Sequence, residues 1–321
     1  MMEKHTVGII GGAGYTAGEL IRILRWHPAV ELHFIHSNSQ AGKPVSSIHQ
    51  DLAGDFFMDF TADVDPKVDV LFLCSGHGKS RGWLAENKVP AETLVIDLSA
   101  DFRLTDDFVY GLPELNRTAI QSSKRIANPG CFATAIQLGL LPLAAAGKMR
   151  EEVHINAITG STGAGQQPQE TTHFSWRNNN LSVYKPFEHQ HLAEIGRSLA
   201  FLQEDDLPEL AFVPLRGDFA RGIFASMYLR TELSEKYLRN LYQEYYSTHA
   251  FTHAVAENPH LKQVVNTNKC LVQVTKHGNR ALIISVIDNL LKGASGQAVQ
   301  NMNLALGLEE TTGLQLKAMV F

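Results

Sequence analysis

Apolar positions recur along this chain in two textures. From the N-terminus to about Gly147, short aliphatic runs alternate with amphipathic stretches. Val7, Ile9 and Ile10 predict a first buried strand, and the spacing from Tyr15 to Trp26 predicts the helix after it. "VELHFIH", "VDVLFLC" and "LVID" predict further strands. Ala135, Leu138, Leu141 and Pro142 then follow Cys131 at roughly helical spacing. Such alternation predicts a parallel sheet covered by helices. Beyond Gly147 the texture changes. "VHINAITG", "ELAFVPL", "GIFASMYLRTEL", "CLVQVT" and "RALIISVID" are strand-like with fewer helices between them, which predicts a second domain with a mixed or antiparallel sheet. The closing "SGQAVQNMNLALGL" is a helical pattern again, placed to return to the first domain.

The 321 residues suffice for two ordinary domains. Hydrophobic content of 44% against 19% charged residues marks a globular chain. A net charge of -5 without a long basic run argues against nucleic acid as a partner. Cys74, Cys131 and Cys270 are too few and too scattered for a disulfide framework or a paired-cysteine metal site. No apolar stretch is long enough to span a bilayer, and the first strand starts too early to leave room for a signal peptide. A cytoplasmic protein with no membrane partner is expected.

Chemistry enters with "GIIGGAGYTAGEL". Gly11 ends the first strand, and Gly12-Ala13-Gly14-Tyr15-Thr16-Ala17 fits GxGxxA at the start of a helix. Glycines there permit the tight turn and let the backbone approach a pyrophosphate at the helix N-terminus. Strand before and helix after make this a dinucleotide site rather than a glycine-rich turn. The second strand runs into His36, Ser37, Asn38 and Ser39, with no Asp or Glu between Glu31 and Asp51. An NAD enzyme commonly places an acid here for the ribose 2′-hydroxyl. Hydroxyl and amide groups with Lys43 nearby suit a 2′-phosphate better, so NADP/NADPH is the expected cofactor. The third strand ends in Ser75, Gly76 and His77, on the edge where such sheets bind ligands. Cys74 reads as a core residue and His77 as a loop residue near the cofactor.

Cys131 follows the turn formers Asn128, Pro129 and Gly130, at or just before the first turn of a helix. Unpaired amides and the helix dipole stabilise a thiolate there. Cys131 is then either a nucleophile or a small residue filling a gap. His189 and His191 offer an acid–base partner. A metal site built on the pair lacks a third and fourth ligand in the sequence. Arg103, after the strand "LVID", is a candidate for holding phosphate or carboxylate. Arg216 and Arg221 are candidates for an acidic substrate or solvated charges. The loop "GSTGAG", with Ser161, Gly163 and Gly165, offers amides to an oxyanion or a nicotinamide, or is a flexible surface loop.

Together "GGAGYTAGEL", "DLSADFRL", "YGLPELNR", "NPGCFATA", "GSTGAG", "HQHLAEI", "ARGIFAS" and "DNLLKGASGQAVQNMN" stand in one order over essentially the whole chain. In this the chain resembles the N-acetyl-γ-glutamyl-phosphate reductases of arginine biosynthesis. That family is similar in chemistry and fold to the aspartate-semialdehyde dehydrogenases. Two departures are small: Ala17 stands where a third glycine is common, and Gln190 where arginine is frequent. The resemblance implies an α/β fold with a Rossmann-type NADP-binding domain at 1–148 and 297–321. It implies an α+β substrate and oligomerisation domain with a mixed sheet at 149–296. It implies that the Cys131 thiolate attacks a small acidic acyl phosphate and that the resulting thioester is reduced by NADPH. His191 is then the first choice for acid–base catalyst and His189 the second. Arg103, Asn128 and Ser161 would lie near the substrate, and Gly163, Gly165 and Asn289 near the nicotinamide. A homodimer or homotetramer is the family expectation. Two rivals remain: an aspartate-semialdehyde dehydrogenase, and a non-catalytic NADP-binding sensor with Cys131 as its redox switch.

Overall fold

Residues 4–203 and 206–320 are described in a computed structural model of the chain, whose contacts divide it into two units. The first comprises the chain through Pro129 together with Ala294–Gln315. Its six-stranded sheet is built from β1 (His5–Ile10), β2 (Val30–His36), β3 (Val70–Leu73), β4 (Leu94–Asp97), β5 (Val109–Tyr110) and β6 (Arg125–Ala127). All pair in parallel, in the order β2-β1-β3-β4-β6-β5. Strands β3 and β4 are buried at every position, which is why "VLFL" and the "LVI" before Asp97 read as unbroken apolar runs rather than alternating ones. From β1 the chain steps outward to β2, then crosses back to β3 on the other side of β1. The reversal opens a crevice at the carboxyl ends of β1 and β3, where sheets of this class bind ligands.

Helix α1 (Tyr15–Leu24) buries Ala17, Leu20, Ile21, Ile23 and Leu24 along one stripe. Two further helices of this unit are α2 (Ser80–Glu86) and α3 (Pro113–Ser122), the latter opened by Pro113. The C-terminal α8 (Gly296–Ala305) packs on α1, α3 and β4, so the closing helix belongs to this unit.

The second unit comprises Gly130–Gly293 and the C-terminal residues from Leu316. Its helices are α4 (Cys131–Ala145), α5 (Phe174–Arg177), α6 (His191–Leu202) and α7 (Glu235–Tyr246). Its strands are β7 (Val153–Thr159), β8 (Ser182–Val183), β9 (Leu210–Arg216), β10 (Ile223–Arg230), β11 (Thr252–Ala254), β12 (Cys270–His277) and β13 (Arg280–Ile287). They form one mixed sheet in the order β11-β12-β13-β10-β7-β9-β8. The pairs β11/β12 and β7/β9 are parallel and the rest antiparallel. On β10, Ile223, Ala225, Met227 and Leu229 are buried while Phe224, Ser226 and Tyr228 between them are half-buried. That alternation marks one face against helices and one face of intermediate exposure.

Helix α4 is buried from Phe132 through Ala144 and lies on β7, β10, β12 and β13, with α6 and α7 beside it. The domain boundary expected at 148 therefore differs from the observed division at Pro129/Gly130. A helix apolar on every side needs neighbours on every side, and α4 finds them in the second sheet. The returning segment likewise begins at Ala294 and leaves the first unit after Gln315, rather than running from 297 to 321. Among the described residues no helix is long and apolar enough to cross a membrane.

Pro142 sits inside α4, where it cannot give an N–H to the carbonyl of Leu138. Helix α7, which the sequence reading did not anticipate, supplies that donor. Its buried stripe is Leu238, Tyr242 and Tyr246. The hydroxyl of Tyr246 donates to Leu138 O, and that of Tyr242 donates to Gly139 O at 2.6 Å. Replacing Tyr246 by Phe strands a buried carbonyl. The expected result is a loss of about 1–3 kcal/mol in unfolding free energy by denaturant titration. Tyr237→Phe, on the exposed side of α7, is expected to change it by less than ~0.5 kcal/mol.

Candidate functional site

Of the expected cofactor residues, those up to Gly76 lie in the first unit, around the start of α1 and the ends of β2 and β3, while Gly163, Gly165 and Asn289 lie in the second. Gly11 has φ +80°, and a Cβ there would stand 2.6 Å from the Ser75 amide nitrogen, so glycine is required on both counts. Gly12 donates its N–H to His36 O at 2.7 Å, which ties the turn to the end of β2. Gly14 is the N-cap of α1, with no side-chain cap and no acid in the first turn. A Cβ at Gly14 would meet nothing within 4 Å, so packing does not demand glycine there. What glycine leaves is open space before the first amides of the helix, of Tyr15, Thr16 and Ala17, which have no intrahelical partner. Space and unpaired donors fit a pyrophosphate.

Beside this loop, Asn38, Ser39 and Lys43 are exposed, and Lys43 Nζ donates to Gln40 Oε1 at 3.1 Å. That set fits a 2′-phosphate. Ser37 is instead buried, and Asn38 Oδ1 lies 3.0 Å from His36 Nε2. Ser75 is half-buried and Gly76 exposed with φ +89°, at the crevice edge. Burial pushes the Cys74 thiol up to about 12, so it stays protonated and inert. His77 Nδ1 accepts the Ala100 N–H at 3.0 Å.

Arg103 and Asn128, expected at the substrate, both bond main-chain carbonyls of the first unit. Arg103 is buried, its Nε donating to Asn128 O at 2.9 Å and an Nη to Leu98 O at 3.2 Å. Asn128 is buried too. Its Nδ2 donates to Ala294 O at 3.0 Å, its Oδ1 accepts from Asn301 Nδ2 at 3.1 Å, and its N–H donates to Asp97 O. The carboxyl ends of parallel strands carry carbonyls in need of donors, and Arg103 supplies two of them, just after β4 and β6.

Cys131 is the first residue of α4, half-exposed, with Gly130 as an N-cap that has no side-chain cap. Gly293 packs against it: a Cβ there would stand 2.9 Å from Cys131 Cβ. Gly130 carries the neighbouring groups. Its N–H donates to Glu194 Oε2 at 3.1 Å, and a Cβ on it would lie 2.4 Å from His191 Nε2. His191 opens α6, with Nε2 at 3.8 Å from Glu194 Oε1. At that distance the two form an ion pair only when the imidazole is protonated. Glu194 is missing from the sequence reading, although its place three residues after His191 puts both on one helix face.

His189 is packed among rings: Phe132 at 5.4 Å, Phe212 at 5.5 Å and His191 at 4.5 Å. Its Nδ1 accepts the His191 N–H at 3.2 Å, which places its own proton on Nε2. Burial first, and Lys185 second, lower its pKa to about 4. Among the described residues no three His, Cys, Asp or Glu side chains are grouped to hold a metal ion.

Tyr184 lies in the same neighbourhood. Burial pushes its phenol up, the charge of Cys131 adds to the shift, and Arg216 opposes it. Arg216 lies over the Tyr184 ring at 4.7 Å, and its Nη1 is 3.4 Å from Thr171 Oγ1. The buried Arg177 donates to Arg216 O at 2.6 Å and holds this loop in place. Arg221 instead pairs with the fully buried Asp288 at 2.9 Å. Asn289 Oδ1 accepts the Gly222 N–H at 2.7 Å while its Nδ2 donates to Thr162 Oγ1 at 3.0 Å. In the loop after β7, the N–H groups of Ser161, Thr162, Gly163 and Gly165 all donate to main-chain carbonyls. The tight turn from Ser161 to Ala164 uses those amides on itself and on residues 219 and 220, where the sequence suggested amides open to a ligand.

Residues 6–123 match the family model for the semialdehyde dehydrogenase NAD binding domain, and residues 131–289 that for the semialdehyde dehydrogenase dimerisation domain. The chain is 59% identical to the N-acetyl-γ-glutamyl-phosphate reductase of Flavobacterium johnsoniae, across 97% of this chain and 98% of that one. It is 57% identical to the protein of that name in Christiangramia forsetii, across 98% and 99%. Among solved structures it resembles aspartate semialdehyde dehydrogenase II from Vibrio cholerae, with TM-score 0.74, 18% identity, and 95% and 99% of the two chains covered. The aspartate semialdehyde dehydrogenase of Candida albicans, solved with NADP, gives TM-score 0.72 at 15% identity, covering 94% and 98%. At these identities the structures share the fold.

The low pKa of His189 ties stability to pH. Between about 4 and the ordinary 6.5, the unfolded chain binds a proton at this site that the folded chain refuses. The contribution is fully present above 6.5 and is lost as pH falls toward 4. The difference corresponds to about 3 kcal/mol. His189→Asn keeps an acceptor for the His191 N–H but does not titrate. Unfolding titrations from pH 7 down to pH 4 should show a shallower fall for this variant than for the parent chain; equal slopes would refute the assignment.

Proposed function

The chain belongs to the semialdehyde dehydrogenase family, and on that premise we propose that it reduces N-acetyl-γ-glutamyl phosphate to N-acetylglutamate 5-semialdehyde with NADPH, releasing phosphate. This is a step of arginine biosynthesis. The observation that carries the reading is Cys131 at the uncapped start of α4, with His191 and Glu194 against the residue before it.

The Cys131 sulfur attacks the acyl carbon, the phosphate leaves with the electron pair of the C–O bond, and a thioester remains. The reducing chemistry, a hydride to the thioester carbon, is what the nicotinamide cofactor supplies when bound. Thiolate is then released as the carbonyl reforms. A serine at this position would form an ester, a poorer hydride acceptor with a poorer leaving group. The amides at the start of α4 stabilise the thiolate in both states. His191 takes the thiol proton, gives a proton to the carbonyl oxygen as the tetrahedral adduct forms, and takes it back as the carbonyl reforms and the thiolate leaves, with Glu194 beside its ring. His189, kept neutral, fixes the first turn of α6 by accepting the His191 N–H. Arg216, stacked on Tyr184 near Cys131, holds a carboxylate of the substrate. Arg221, Asn289 and the Ser161–Gly165 loop form the frame behind that site. Arg103 and Asn128 set the turn that precedes Gly130 in the chain.

The cofactor is held by the amides of α1 and, at its 2′-phosphate, by Asn38, Ser39 and Lys43. The half-buried sheet face with Phe224, Tyr228, Leu271 and Leu282 lies inside the dimerisation-domain match and is the face through which copies associate, as a dimer or tetramer. Free thiols at all three cysteines accord with a reducing cytoplasm.

The test runs the reaction backwards, following NADPH formation from NADP, phosphate and N-acetylglutamate semialdehyde. Phosphate-dependent turnover is expected, with a loss of ~1,000-fold or more in Cys131→Ser. Turnover surviving in that variant would remove the covalent route. Turnover with the N-succinyl analogue alone would change the acyl group, and turnover with aspartate semialdehyde alone would favour the first rival. NADP binding without turnover on any of the three would favour the sensor.

A further inference from the structure

We propose that His49, which no motif in the sequence marks, is a positioning residue for the dinucleotide-binding loop; this rests on the NADPH reading above. His49 lies between two short turns, Val45–Ser47 and Gln50–Leu52, in the segment after β2. Its main chain is locked on both sides, its N–H donating to Val45 O and its carbonyl accepting from the Leu52 N–H. The ring is buried, and Nε2 lies 2.7 Å from Gly12 O. A carbonyl only accepts, so the ring proton is on Nε2.

The bond fixes more than one atom. Gly12 C=O and the Ala13 N–H belong to one planar trans peptide and point in opposite directions. Holding the carbonyl toward His49 therefore turns the Ala13 N–H to the opposite side. The Gly12 amide is anchored separately to His36 O at 2.7 Å. With both neighbouring peptide groups fixed, the loop meets a pyrophosphate without reorganising, and preorganisation of this kind adds to affinity.

Gly18 is the second observation. It lies one turn into α1, where glycine weakens a helix. A Cβ there would stand 2.6 Å from His49 Nδ1 and 2.8 Å from Cε1. Gly18 thus leaves room for the ring that holds Gly12.

The test measures the NADPH dissociation constant by quenching of protein fluorescence, together with KM and kcat. His49→Leu removes the donor and should raise the dissociation constant and the KM for NADPH about tenfold. The kcat at saturating NADPH should stay within about twofold, because the cysteine half is untouched. His49→Gln carries an N–H near the Nε2 position and should recover most of the affinity. Gly18→Ala displaces the ring and should weaken NADPH binding with the native His49 in place, which decides the matter if the leucine variant does not fold. Parental affinity in His49→Leu or in Gly18→Ala would overturn the proposal, as would a glutamine variant as weak as the leucine one. Failure of the parent chain to bind NADPH would instead refute the reading on which it rests.

Discussion

A helix that begins without a side-chain cap leaves its first amides without intrahelical partners, and this chain makes that concession at both of its candidate sites. Gly14 opens α1 and Gly130 opens α4, each without a capping side chain and without an acid in the first turn. Glycine in place of a capping residue costs roughly a few tenths of a kcal/mol, while the donors it leaves free can meet a pyrophosphate or a thiolate. The remaining local structure serves to hold these two helix starts in place. His36 and His49 fix the loop before α1, and Glu194 and His191 stand against the residue before Cys131.

Helix α4 can end at Cys131 only because its body is secured elsewhere. It is apolar all round and interrupted by Pro142, a poor helix in isolation. The second sheet buries one side, α6 and α7 the others, and two tyrosines of α7 satisfy the carbonyls of Leu138 and Gly139. Stability of the helix that Cys131 opens thus depends on residues more than a hundred positions later in the chain.

Several side chains that look like ligands in the sequence bond groups of the protein itself. Arg103, Asn128, Arg221 and Asn289 are polar residues in loops next to glycines or strand ends, the usual mark of a site. The same loops, however, end strands and reverse direction, so they carry main-chain groups that no sheet pairs. Arg103 answers those groups just after β4 and β6, Asn128 donates to Ala294 O, and Asn289 bonds Gly222 and Thr162. A guanidinium or carboxamide serves a carbonyl as readily as a phosphate, and residue type cannot distinguish the two uses. Arg216 differs because its guanidinium lies on Tyr184 rather than on a carboxylate.

What the sequence determined alone was what local periodicity and turn chemistry encode. The parallel sheet, the glycine loop opening α1, the five longer strands of the second sheet and the place of Cys131 at a helix start all follow from spacing within a few residues. The division of the chain was not legible in this way. Cys131–Ala145 continues the alternating texture of the first unit, and only its packing on β10 and β13 assigns it to the second. Nor could His49 be found, since a histidine gains its meaning from Gly12 and Gly18, more than thirty positions earlier, once the chain folds back over α1. Hydrogen bonds and close approaches between distant segments have no period. They exist only where the tertiary structure brings a donor to a carbonyl or a ring to a missing Cβ.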